Sequence, residues 1–111
     1  MALSLLAAKT KVTVANSRAL LYRCPVGKTA TVWSGTITNV DEVLRKGYLI
    51  SLEIQGVDSL YTYKGKDIII PYGLSIGTPK IQLVAGESIF LTANAANVIH
   101  VDVAIAEKDA V

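Results

Sequence analysis

The chain has 111 residues, of which 51% are hydrophobic and 18% charged, against a usual charged share of about 25%. Such a composition excludes intrinsic disorder, and eight Gly and three Pro without a period exclude a collagenous or low-complexity chain. A net charge of +2 gives no reason to expect nucleic acid or a membrane surface as a partner, no apolar run reaches a membrane span, and a lone cysteine cannot form an intrachain disulfide.

In chain order, the opening Met1-Ala2-Leu3-Ser4-Leu5-Leu6-Ala7-Ala8-Lys9 has the greasy stretch of a signal peptide but lacks the basic segment before it. It reads as a first helical turn or as an apolar arm, residues 1–9. Leaving Leu3, Leu5 and Leu6 in water would cost about 1.5–3 kcal/mol each, so the arm is expected to be covered by its own domain or by a partner.

From there the apolar period is two. Strands are expected near 10–15, 18–24, 29–40, 47–55, 58–63, 67–71, 80–84, 87–93 and 98–106. The clearest alternation puts Ile99, Val101, Val103 and Ile105 on one face and His100, Asp102 and Ala104 on the other. Turn chemistry at Asn16-Ser17, Pro25-Val26-Gly27-Lys28, Gly56-Val57-Asp58, Gly77-Thr78-Pro79 and Ala85-Gly86-Glu87 separates the runs. Val32 and Ile37 have opposite parity, which a bulge near Ser34-Gly35 would repair. Asp41 could cap a single turn before residue 46. Eight or nine short strands at regular spacing give an all-β chain. The expected fold is an antiparallel β-sandwich or jelly roll of about eight strands, formed by residues 10–111 as one domain behind the short N-terminal arm.

Little chemistry is legible in the residues. Gly27-Lys28-Thr29 is a fragment of a phosphate loop, but Tyr22 stands where the loop needs its first glycine, so it reads as a hairpin turn. Cys24 and His100 are the only thiol and imidazole, and no orienting partner is legible for them as a nucleophilic pair. One His, one Cys and scattered carboxylates offer no spaced metal-ligand set, so no metal, cofactor or catalytic residue is expected. The aromatics are more suggestive. Tyr61, Tyr63 and Tyr72 group with Leu60 around Lys64-Gly65-Lys66, and Trp33 precedes the expected bulge. Such residues fit core packing, a protein interface or a sugar-stacking platform. Ile68-Ile69-Ile70 carries too many apolar side chains for a strand wet on one face. Candidate partner contacts are therefore Leu3, Leu5, Leu6, Trp33, Tyr61, Tyr63 and Tyr72.

The string Tyr22-Arg23-Cys24-Pro25-Val26-Gly27-Lys28-Thr29-Ala30-Thr31-Val32 is followed by Thr36-Ile37-Thr38-Asn39. Leu83-Val84-Ala85-Gly86-Glu87-Ser88-Ile89-Phe90-Leu91-Thr92 comes later, with a closing strand over residues 98–107. Together they resemble the turn and strand signatures of small β-sandwich structural proteins of tailed phages, over residues 18–107. That family includes capsid decoration proteins, also called cement or staple proteins, and some tail or fibre attachments. In length and character the chain is most similar to the staple proteins of epsilon-fifteen-type short-tailed phages. The resemblance implies a non-enzymatic jelly roll, made in the host cytoplasm, that sits as a homodimer on the virion exterior. There it would clamp neighbouring copies of the major capsid protein. A tail, neck or fibre component, with glycan contact through Trp33, Tyr61 or Tyr63, is the alternative.

Overall fold

The computed structural model describes residues 3–110. Nine strands follow one another: β1 (Leu3–Lys11), β2 (Ala19–Arg23), β3 (Lys28–Asn39), β4 (Tyr48–Gln55), β5 (Tyr61–Ile70), β6 (Ser75–Gly77), β7 (Ile81–Val84), β8 (Ser88–Ala93) and β9 (Ile99–Asp109). They form two antiparallel sheets. The larger runs β1-β9-β3-β6, with β7 also on β3, and the smaller runs β2-β8-β4-β5. β6 and β7 pair with successive stretches of the same edge of β3, at Thr36–Thr38 and Thr29–Val32, so they act as one interrupted strand. With that pair counted as one, eight strands divide four and four between the sheets in jelly-roll order, β4 and β5 being the one consecutive pair within a sheet, and the all-β sandwich expected from the sequence is the fold.

Alternation builds the core. Ile99, Val101, Val103 and Ile105 from β9 are all buried, and they meet Ile50, Leu52, Ile89 and Leu91 from the smaller sheet. The expected bulge is present one residue early. Val32 pairs with Ile105 and Ser34 with Ala104, which leaves Trp33 as the extra residue. The inserted residue returns Ile37 to the core face that Val32 occupies. Gly35 follows because a Cβ there would lie 2.6 Å from Val103 Cγ1 and 2.9 Å from the Asp102 carbonyl oxygen.

Four expectations are corrected. The boundary at residue 9 falls inside a strand: residues 3–9 belong to β1, paired residue by residue with β9 from Leu3↔Lys108 to Lys11↔His100, while Met1 and Ala2 lie outside the described residues. Residues 12–15 are not strand. Val12 is fully buried, and its N–H donates to the Ile99 carbonyl where the chain crosses from the larger sheet to the smaller. The strands expected at 58–63 and 67–71 are one strand, β5, whose register against β4 shifts between Ile50 and Glu53, opposite Gly65. Finally, β6 has no counterpart in the sequence reading, because three residues are too few to show a period.

The turn expected at Asp41 closes as proposed. Its Oδ1 accepts from the Leu44 N–H at 3.0 Å, and its carboxylate accepts from the Tyr48 hydroxyl. Asn39 lies beneath, fully buried. Its Nδ2 donates to the carbonyls of Lys46 at 2.7 Å and Ile70 at 2.9 Å, and its Oδ1 accepts from the Asp41 N–H at 3.1 Å. One side chain thus ties the β3–β4 loop to the end of β5.

Candidate interaction surfaces

The seven candidate contact residues fall in four regions. Leu3, Leu5 and Leu6 lie on β1. Their neighbours are cross-strand residues of β9, yet Leu3 is 65%, Leu5 76% and Leu6 36% exposed. The apolar segment therefore satisfies its backbone on one side and leaves its side chains in water. Ala8 is the one β1 residue that is partly covered.

β1 is an outermost strand of the larger sheet. An open strand edge is a template for pairing with another chain unless something blunts it. β6 and β7 are three and four residues long, and β2 carries a register shift between Leu20 and Tyr22. β5 is irregular around Gly65 and carries Lys64, Lys66 and Asp67. β1 runs nine residues with unbroken register, and its only charges, Lys9 and Lys11, lie in its last three residues.

The second region is the outer face of the smaller sheet. Leu20, Phe90, Glu53 and Tyr63 stand in register across all four strands. Glu53 is buried, and Arg18 grips it with Nε to Oε1 and Nη2 to Oε2, both 3.2 Å. The bond to Glu53 raises the pKa of the guanidinium above its ordinary value. The Arg18 guanidinium carbon lies 3.6 Å from the centre of the Tyr61 ring, a cation–π stack, and Tyr61 meets Phe90 edge-on with centroids 5.6 Å apart. Tyr63 remains half exposed, with Lys66 Nζ 5.2 Å from its centroid. Tyr61 and Tyr63 thus do come together, around an ion pair that sequence reasoning missed. Arg18 and Glu53 are 35 residues apart, and no local pattern joins them.

Tyr72 and Trp33 are elsewhere. Tyr72 lies beyond the far end of β5, roughly 30 Å along the strand from Tyr61, with Arg45 5.7 Å from its ring centre. The expected Tyr61–Tyr63–Tyr72 group is therefore split by the length of β5. At that end Leu49 and Ile69 are cross-strand partners and both are exposed, so the isoleucine run has one buried member, Ile70, and two that face water. Trp33 is half exposed on the bulge, with Lys80 Nζ 4.3 Å from its ring centre.

The Cys24–His100 pair is not assembled. Cys24 is buried, its thiol donates to the Lys28 carbonyl at 3.3 Å, and burial above all raises its pKa. Lys28 pairs with Asp109, whereas His100 pairs with Lys11 and Thr38, so about nine strand residues, roughly 30 Å, lie between the two. Among the described residues no group of three or more His, Cys, Asp or Glu is arranged to hold a metal ion. The basic bias of the first quarter is partly spent on internal partners: Arg23 Nε donates to Ser88 Oγ at 2.9 Å, and Lys28 Nζ to Asp109 Oδ1 at 3.0 Å.

No protein-family model matches the chain, and no curated protein matches it. Among solved structures, the chain is similar to one from work on Bacillus endospore appendages, described as a novel family of disulfide-linked pili. The two superpose with a TM-score of 0.57 at 9% sequence identity, over 99% of this chain and 88% of that one. At this identity the likeness is one of fold.

Proposed function

We propose that the chain is a non-enzymatic structural module that fastens to a larger protein assembly through the open edge of β1. The observation that carries this reading is the contrast among the sheet edges. Three are short, shifted or charged, and the fourth is long, regular and apolar, with Leu3 and Leu5 mostly in water. Strand addition at such an edge gives affinity through backbone hydrogen bonds, and the alternate side chains give selectivity. The neighbour of similar fold comes from work on disulfide-linked pili, which agrees with the general class. The disulfide linkage of those pili does not transfer to this chain, because its one cysteine is buried.

The resemblance to phage decoration proteins supplies the finer reading. In it the assembly is the exterior of a mature capsid, the partner is the major capsid protein, and the chain acts as a homodimer clamping adjacent subunits. A clip that binds only correctly spaced neighbours stabilises the assembled shell by mass action. A dimer that engages two subunits at once converts two weak contacts into one firm one. Mixing the purified chain with undecorated mature capsids tests this: saturable binding at a lattice-defined stoichiometry is expected. Failure to bind native shells would overturn it, and labelling confined to the tail vertex would transfer the chain to the tail or fibre reading.

A further inference from the structure

On the outer face of the smaller sheet, the Arg18–Glu53–Tyr61–Tyr63 constellation borders a cleft of about 540 Å³. We infer that this cleft is a binding site for a short, uncharged oligosaccharide. The inference does not need the attachment reading, since β1 belongs to the other sheet.

The chemistry of the walls points to this ligand class. Asn16, Ser17 and Thr92 line the cleft beside the two tyrosines, so amide, hydroxyl and phenol groups converge on one space. Each can donate and accept, as sugar hydroxyls require. The half-exposed Tyr63 ring offers a flat apolar surface for the C–H face of a pyranose. The lining holds no aliphatic side chain, unlike the apolar centre of a protein interface. Among the lining residues the one cation and one anion are already paired, so the walls carry no net charge of their own, with the Lys66 ammonium standing beside Tyr63.

The ion pair between exposed Arg18 and buried Glu53 has a positioning role. Glu53 is only 5% exposed, and keeping a carboxylate there is costly where an apolar side chain would pack without penalty. Its two bonds hold the guanidinium flat on Tyr61 and leave other Arg18 N–H groups free for a ligand. Asn16, in the left-handed backbone region at φ 58°, is fixed by its N–H bond to the Ala93 carbonyl at 2.7 Å. The wall that faces a ligand is therefore set before any ligand arrives, which lowers the entropy lost on binding.

The test is an NMR titration of the isolated, isotope-labelled full chain with neutral tetrasaccharides of gluco, galacto and manno configuration in α and β linkage. Tetragalacturonate and inorganic phosphate serve as charged probes. At least one neutral sugar is expected to shift the resonances of Asn16, Arg18 and Tyr63 saturably. Tyr63→Ala should weaken that binding about tenfold or more, as loss of an aromatic anchor does. Tyr63→Phe, which keeps the ring, should stay close to the parent, and Trp33→Ala on the other sheet should leave binding unchanged. Silence with every neutral sugar, shifts with the charged probes alone, or full binding by Tyr63→Ala would each overturn the inference. Loss of capsid attachment in Tyr63→Ala would overturn it too, by giving this face to a protein partner.

Discussion

Replacing Leu3 and Leu5 together by serine separates the fold from the attachment. The two side chains are 65% and 76% exposed, which leaves about 1.4 leucines' worth of apolar area in water. At about 1.5–3 kcal/mol per fully buried leucine, covering that area would contribute about 2–4 kcal/mol to each contact of the proposed attachment. One decade of affinity corresponds to about 1.4 kcal/mol, so Leu3→Ser/Leu5→Ser should weaken binding to undecorated capsids roughly 30- to 1,000-fold. Stability should scarcely move. Both residues face water in the free chain, and surface substitutions stay within about 0.5 kcal/mol, about 2 °C in Tm for a domain of this size. Co-sedimentation at graded concentrations gives the affinity, and a thermal melt of the same sample gives the control. A variant that binds within threefold of the parent would refute the assignment of β1 to the contact. A variant that loses binding and also melts far lower would show that these leucines serve the fold.

Asn39→Ala should be severe. It removes three hydrogen bonds from a fully buried side chain and leaves the Ile70 carbonyl without that donor, a loss of about 3–4 kcal/mol, or about 12–16 °C in Tm by calorimetry; a fall below 4 °C would contradict the hub role. Cys24 should resist iodoacetamide in the native chain and react freely in denaturant, because burial both shields the thiol and raises its pKa. Native labelling at the rate of a free thiol would show that the loop opens. The Tyr48 hydroxyl and the Leu44 N–H lower the pKa of Asp41 below its ordinary value. A carboxylate so depressed adds stability above its unfolded value, about 3.9, and loses it as pH falls through the folded value. Tyr48→Phe removes the larger cause, so acid unfolding should begin at a higher pH; an unchanged acid midpoint would remove Asp41 from the account.

What could be read in the sequence follows from which faces are covered. Residues 99–105 alternate strictly because one face of β9 packs on the core and the other does not, so both strand and orientation were legible. The parity conflict between Val32 and Ile37 announced the bulge, and its position was off by one because Trp33, just before the Ser34-Gly35 pair, is the inserted residue. β1 was illegible for the opposite reason. Neither of its faces is buried, so Leu3-Ser4-Leu5-Leu6-Ala7-Ala8 shows no period and passes for an arm. The aromatic site was half legible. Tyr61 and Tyr63 are two apart on one strand and had to share a face, whereas Tyr72 looked near them only in sequence. Arg18 and Glu53 meet because β2 and β4 flank β8, a consequence of topology that no spacing in the sequence encodes.

The most direct measurement is an electron cryomicroscopy map of mature shells carrying the chain. The account expects the larger sheet to continue past β1 into a strand contributed by a neighbouring subunit, with Leu3 and Leu5 covered at the seam. A map in which the β1 edge faces open solvent, while the chain is held by some other surface, would contradict it.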